Sequence, residues 1–390
     1  MTAVRPRAKS RPPSPARPRL NLALQGGGSH GAFTWGVLDR LLEDDGVDIA
    51  GISGTSAGAL NGAVALSGYV DGHEAGGPQQ ARRQAQQALH DFWRDVSRHG
   101  SLFSPLSNPF SNPFGTQGLD ALLSPFGLGT NALMQWGNLL TRSFSPYEFN
   151  PLNLNPLKDV LTEHVRVESL HEGCAQCDIP LFVTATSVRT GQARVFSAEE
   201  LSIDALLASA CLPFLFQAVH IDGEPFWDGG YTGNPALYPL IYRTEHNDIL
   251  LVRLNPLERP GTPTRSVEIM DRLSEITFNA SLIGEMRAIA FVSRLLRENK
   301  LDPGRYKHMH MHMVSDDKGM NGFGPSTKFN TEWVFLEQLR DLGRAAADRW
   351  LKAHRDDVGV RSSLHIDEVF LGRAPGRLDP PQGRLGPSTA

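Results

Sequence analysis

Residues 54–58 read Gly-Thr-Ser-Ala-Gly, a serine held between two glycines at the spacing of a nucleophile elbow. Gly54 and Gly58 permit a tight, strained turn that lifts the Ser56 hydroxyl clear of a sheet. The helix that follows points its positive N-terminal end at that hydroxyl and at any anion formed there. So short a pattern also arises by chance, and its meaning depends on its surroundings. A second element, Gly26-Gly27-Gly28-Ser29-His30-Gly31, lies upstream. Consecutive glycines expose backbone amides that can converge on a phosphate or on a carbonyl oxygen as it becomes negative. A Walker loop is excluded because the Gly-Lys-Ser/Thr ending is missing. Gly26, Gly28 and Gly31 do satisfy a dinucleotide fingerprint, with Glu43, Asp44 or Asp45 as its acidic partner, but that reading leaves the serine turn unexplained. An oxyanion hole built from Gly26, Gly27 and Gly28 beside a Ser56 nucleophile accounts for both elements. The third candidate is Asp228-Gly229-Gly230, which taken alone reads as a hairpin turn.

The elements that must position these residues are legible in the hydrophobic pattern. Leu20–Leu24 is a short apolar run, and Phe33, Val37, Leu38, Leu41 and Leu42 follow at helical spacing. The unit repeats with a strand over Ile49–Ser53 and a helix over Ala57–Leu66. That helix is small or apolar on nearly every face, so it must be buried, with Gly58 and Gly62 letting it lie close to the sheet. Further strands are expected at Pro180–Ser187, Ala193–Ser197, Ile249–Leu254 and His308–Val314, and long helices at Ser266–Lys300 and Trp333–His354. Strands alternating with helices predict an α/β fold with a central, mostly parallel sheet flanked by helices and a largely helical C-terminal extension.

In this order, and with Ser209-Ala210-Cys211-Leu212-Pro213 ahead of the aspartate, the three motifs resemble the patatin-like phospholipase family over about residues 20–240. The resemblance implies a patatin-like fold and serine hydrolysis of lipid acyl esters with no metal or organic cofactor. It makes Ser56 the nucleophile and Asp228 its direct general base in a dyad. Phospholipase A or lysophospholipase chemistry is the first expectation; esterase or thioesterase action and a catalytically silent lipid-binding protein are the alternatives. A Ser-Asp-His triad using His308, His310, His312 or His365 is a further alternative. Many members of the family carry Arg or Lys two residues after the glycine triplet. Here His30 stands there, read as a helix-start residue with a proton or charge role as the other option.

His308, His310 and His312 alternate with methionines, which suits a strand with a polar and an apolar face better than a zinc site. Cys174 and Cys177 form a lone C-x-x-C read as an ordinary loop, and Cys211 as a small buried hydrophobe. Three cysteines in 390 residues cannot form a secreted-type disulfide framework and fit a reducing, cytoplasmic setting. With 38 basic and 42 acidic residues the chain lacks the excess positive charge of a nucleic-acid binder.

Residues 1–19 carry basic but no acidic side chains and read as a disordered arm. Such an arm is either a solubilising leader or weakly attracted to anionic lipid headgroups, a peripheral membrane contact. No apolar run is long enough to span a membrane. The expected layout is a catalytic domain over 20–260, a helical extension over 261–372 and a disordered tail over 373–390. Within the first lies an apolar insertion at 100–150. Asp120 is the single charged residue from Gly100 to Thr141, among Phe103, Phe110, Phe114 and Phe126. This insertion is either a lid or wall for acyl chains or a loop packed permanently on the body.

Overall fold

The computed structural model describes residues 17–100, 145–259, 261–320 and 322–373. The basic arm to Ala16, the insertion from Ser101 to Phe144 with its expected lid role, and the tail from residue 374 lie outside the described residues.

Among the described residues the sheet has eight strands: β1 (Arg19–Leu24), β2 (Asp48–Thr55), β3 (Leu181–Ser187), β4 (Ala193–Ser197), β5 (Val219–Ile221), β6 (Glu224–Asp228), β7 (Asp248–Val252) and β8 (His310–Val314). Their order is β5-β6-β3-β2-β1-β7-β8, with β4 added to β3. The five strands from β3 to β8 run parallel, and β4, β5 and β6 are antiparallel additions. Central strands such as β1, β3 and β7 are buried nearly throughout, as expected for a sheet covered on both faces. Register brings the central strands to a common level: Leu24 lies opposite Gly54 of β2 and Val252 of β7, and Thr55 opposite Thr184 of β3. The glycine loop and the serine turn therefore emerge side by side at the C-terminal edge of the sheet, where α/β folds place their sites.

The principal helices are α1 (Gly31–Glu43), α2 (Ala57–Gly76), α3 (Pro78–Gly100), α4 (Ile203–Ser209), α5 (Ser266–Arg297) and α6 (Trp333–His354). From Ala57 to Gly68 every residue of α2 is buried, the outcome its small and apolar composition requires. The C-terminal region completes the body: β8 extends the sheet beside β7, and α6 packs along α1 with Arg40–Asp348 (3.1 Å) and Arg344–Glu43 (2.7 Å) pairs at the rim.

The β5–β6 hairpin has no counterpart in the expected strands. It is short, carries Pro225 and turns through Asp222 and Gly223 at φ 51° and 78°, so neither alternation nor length marks it. The histidine strand also differs in detail from a simple two-faced strand. β8 begins at His310, leaving His308 ahead of it, and Met311 and His312 are both buried. His312 Nε2 lies 3.1 Å from Asp248 Oδ1 and its Nδ1 lies 2.8 Å from Ser363 Oγ, while the Gly359 amide donates to the same Asp248 oxygen at 2.8 Å. This network clasps the chain around residues 359–363 to the first residue of β7. No helix among the described residues is long and apolar enough to cross a membrane.

Removing the imidazole opens a buried hydrogen-bond network, so His312→Ala is expected to lower stability by about 2–3 kcal/mol. Chemical denaturation checks this, and an unchanged unfolding midpoint contradicts the clasp.

Candidate active site

Ser56 is the single residue between the end of β2 and the start of α2, and it holds φ 52°, ψ −129°. A non-glycine residue in that region costs about 1–3 kcal/mol and persists only where its surroundings enforce it. Here the enforcement is visible. The Ser56 amide donates to Ser209 Oγ (2.9 Å) at the end of α4, and Ser209 Oγ donates to the Thr184 carbonyl (2.6 Å). Gly58, in the first turn of α2, lies against β1 so closely that a Cβ would collide with the Leu24 carbonyl. The buried first turn of the 20-residue α2 thus points at Ser56, which remains partly exposed.

Asp228 ends β6 and is 2% exposed. Its backbone N–H donates to the Cys211 carbonyl (2.8 Å), and its Oδ1 accepts from the Gly230 amide (2.7 Å). The Ser56 hydroxyl lies near enough to its carboxylate to favour the ionised form. Burial pushes the carboxyl up to about 6, although the Gly230 amide, the Ser56 hydroxyl and the charge of Lys328 pull the other way. The site thus pairs a serine hydroxyl with a carboxylate that is ionised, and more basic than usual, near neutral pH.

The glycine loop lies directly on this pair. A Cβ at Gly26 would stand 2.7 Å from both Ser56 Cβ and the Thr55 carbonyl, and Gly28 has φ 59°. The Gly26 amide, one of the three expected oxyanion donors, donates to Asn234 Oδ1 at 2.7 Å. Its carbonyl accepts from Asn255 Nδ2 at 3.0 Å. Gln25 extends the same net, accepting the Leu254 and Asn255 amides at 2.8 Å each. Gly26 is therefore an anchor, while the Gly27 and Gly28 amides donate to no protein acceptor among the described residues.

His30 is buried, with Nε2 2.8 Å from Thr327 Oγ1 and its ring near Phe323 and Phe335. Burial, then the charges of Lys328 and Arg259, lower it to about 3, so it is a neutral anchor at the start of α1. None of His308, His310, His312 and His365 is hydrogen-bonded to Ser56 or Asp228, and His312 is committed to Asp248 and Ser363. Cys211 is buried and its thiol is pushed up to about 12 by desolvation; Cys177 is half-buried, and the Cys174 side chain lies outside the described residues. Three residues of the site lie beyond the expected motifs, Asn234, Asn255 and Lys328, while Ser209 opens the expected stretch ahead of the aspartate. Asn234-Pro235 and Asn255-Pro256 are turn-forming pairs that could have singled out both asparagines.

The site is thus a partly exposed serine and a buried carboxylate beneath a glycine loop at the edge of a mostly parallel sheet. The sequence from residue 22 to 241, more than half of the chain, matches the family described as patatin-like phospholipase, and the chain belongs to that family of lipid acyl hydrolases. No curated protein matches the chain. Among solved structures, VipD from Legionella pneumophila is similar at 16% identity and a TM-score of 0.34, across 84% of this chain and 67% of that one.

The raised Asp228 value has a stability consequence. A carboxyl whose folded pKa lies near 6, above its unfolded value of about 4, stabilises the fold below the unfolded value and loses that contribution as pH rises through 6. Asp228→Asn, which cannot ionise, is therefore expected to gain about 2–3 kcal/mol over the wild type between pH 4 and pH 8. Denaturation midpoints across that range check it. A pH-independent gap means that Asp228 titrates alike in both states.

Proposed function

We propose that the protein hydrolyses lipid acyl esters with a Ser56/Asp228 dyad, and the observation that carries this reading is a strained Ser56 whose hydroxyl acts on a buried, basic Asp228 carboxyl. Asp228 takes the hydroxyl proton as Ser56 Oγ attacks the ester carbonyl carbon, and the carbonyl oxygen becomes the oxyanion. Gly27 and Gly28 donate to that oxygen, while Gly26 holds the loop in place. Collapse of the intermediate breaks the ester C–O bond, and the proton on Asp228 goes to the leaving alcohol. Water then loses a proton to Asp228, attacks the acyl-serine carbonyl and releases the fatty acid as Ser56 recovers its proton. Every proton moves through one carboxylate, so no histidine, metal or organic cofactor is used.

Apolar surface close to this site supports a lipid substrate. Phe214 is 72% exposed, three residues beyond Cys211, whose carbonyl holds the Asp228 backbone. Leu152 and Leu154 are also exposed, on a segment tied to the same loop by Gln217 Nε2 donating to the Asn150 carbonyl (2.8 Å). Phospholipase A-type or lysophospholipase-type cleavage fits such a surface, with the enzyme acting at a lipid interface.

Ser56→Ala and Asp228→Asn are each expected to lower kcat on a short p-nitrophenyl ester by about a thousandfold or more, and the double variant little further, because the pair acts as a unit. In the wild type kcat/KM should rise through about pH 6 as Asp228 ionises. Near-normal turnover by a folded Asp228→Asn variant refutes the dyad.

A further inference from the structure

The short turn Pro325–Phe329 packs against the glycine loop. The Lys328 carbonyl approaches Gly28 so closely that a Cβ there would stand 2.5 Å from it, and Thr327 holds His30. The Lys328 ammonium donates to Asn255 Oδ1 at 2.7 Å, and Asn255 in turn donates to the Gly26 carbonyl. This ammonium is bonded to a neutral acceptor. Two of the nearby carboxylates have arginine partners, Glu275 with Arg259 and Arg272 and Asp317 with Arg253. Burial pulls the Lys328 ammonium below its ordinary pKa while the charges of Glu275, Asp271 and Asp228 hold it up, and its own charge lowers the Asp228 carboxyl. His30, the other basic group at the loop, is neutral.

We propose that Lys328 is a positioning residue of the hydrolytic site: through Asn255 it fixes the Gly26 carbonyl, and so the direction of the Gly27 and Gly28 amides, and its charge favours the anionic site. The inference rests on the dyad reading above. During attack the single negative charge of the site moves from the Asp228 carboxylate to the oxyanion, and an ammonium held by Asn255 whose field reaches the carboxylate costs no reorganisation at that moment. Glu275 and Asp271 of α5 and Arg259 before it also face Lys328, with Asp317, paired to Arg253, across the same small pocket. Tyr231 and Cys211 face Asp228, both with pKa values pushed up to about 12 and therefore neutral, so Lys328 is the cation acting on the Asp228 carboxylate.

Lys328→Met, Lys328→Gln and Lys328→Arg, made in the full chain, test this with kcat, KM, the pH profile and melting temperature measured on a short neutral ester. In Lys328→Met, kcat should fall roughly tenfold or more with KM little changed. Its acidic limb should move to higher pH, because losing a positive charge makes Asp228 harder to ionise. Lys328→Gln, which keeps a hydrogen-bond donor, should show the same shift even if Lys328→Met fails to fold. Lys328→Arg should return the limb towards the wild-type position. An unmoved limb in Lys328→Gln, or a kcat loss that only tracks melting temperature, overturns the proposal. Run alongside, an inactive Ser56→Ala with wild-type behaviour in the Lys328 variants sinks the lysine inference alone, whereas an active Ser56→Ala sinks the dyad with it.

Discussion

The site depends on one edge of β3 being shared by two strands. β2 pairs with that edge as far as Thr184, and β6 takes it over from Ala185, running in the opposite direction. β4 occupies the other edge across the same stretch, so β6 has no alternative place to dock. Thr55 and Asp228 are consequently opposite adjacent residues of β3, and the next residue after Thr55 is Ser56. A one-residue slip of β6 would turn the carboxylate to the other face of the sheet, away from the serine.

That convergence is held against opposing forces. Ser56 sits in backbone strain and Asp228 carries a buried carboxyl pushed up to about 6, two local penalties that a sequence selected for stability alone would shed. What opposes them is a polar net with nearly all partners inside the protein. Ser209 bridges the Ser56 amide to β3, Thr55 Oγ1 donates to the Gly233 carbonyl, and Asn234 and Asn255 grip Gly26 from its two sides. Around the net lies a continuous apolar core drawn from β1, β2, α1, α2 and α6. The C-terminal region belongs to the same construction, supplying β8 to the sheet, α6 to α1, and Thr327 and Lys328 to the glycine loop.

Much of this was legible in the sequence because it is local. Gly54–Gly58, the glycine triplet and Asp228-Gly229-Gly230 are contiguous motifs, and buried parallel strands such as Leu181–Ser187 and Asp248–Val252 announce themselves as apolar runs. The trace of α6 over Trp333–His354 matches its apolar periodicity residue for residue. What escaped is set by contacts distant in sequence. The donor role expected of Gly26 gave way to anchoring because Asn234, 208 residues away, accepts its amide. Lys328 is 300 residues beyond the loop it touches, and no spacing rule connects them. His312 became a buried clasp because Asp248 and Ser363 close on it from other elements, which a single strand's alternation cannot reveal.

The central claim, that Asp228 directly activates Ser56, is tested most directly by the rate of phosphonylation by a fluorophosphonate at pH 8, with the modified residue located by mass spectrometry. The account predicts a single adduct on Ser56 and a rate at least ~100-fold lower in a folded Asp228→Asn variant, since an unassisted serine hydroxyl is a weak nucleophile. An adduct on another residue, or an undiminished rate in Asp228→Asn, would contradict it.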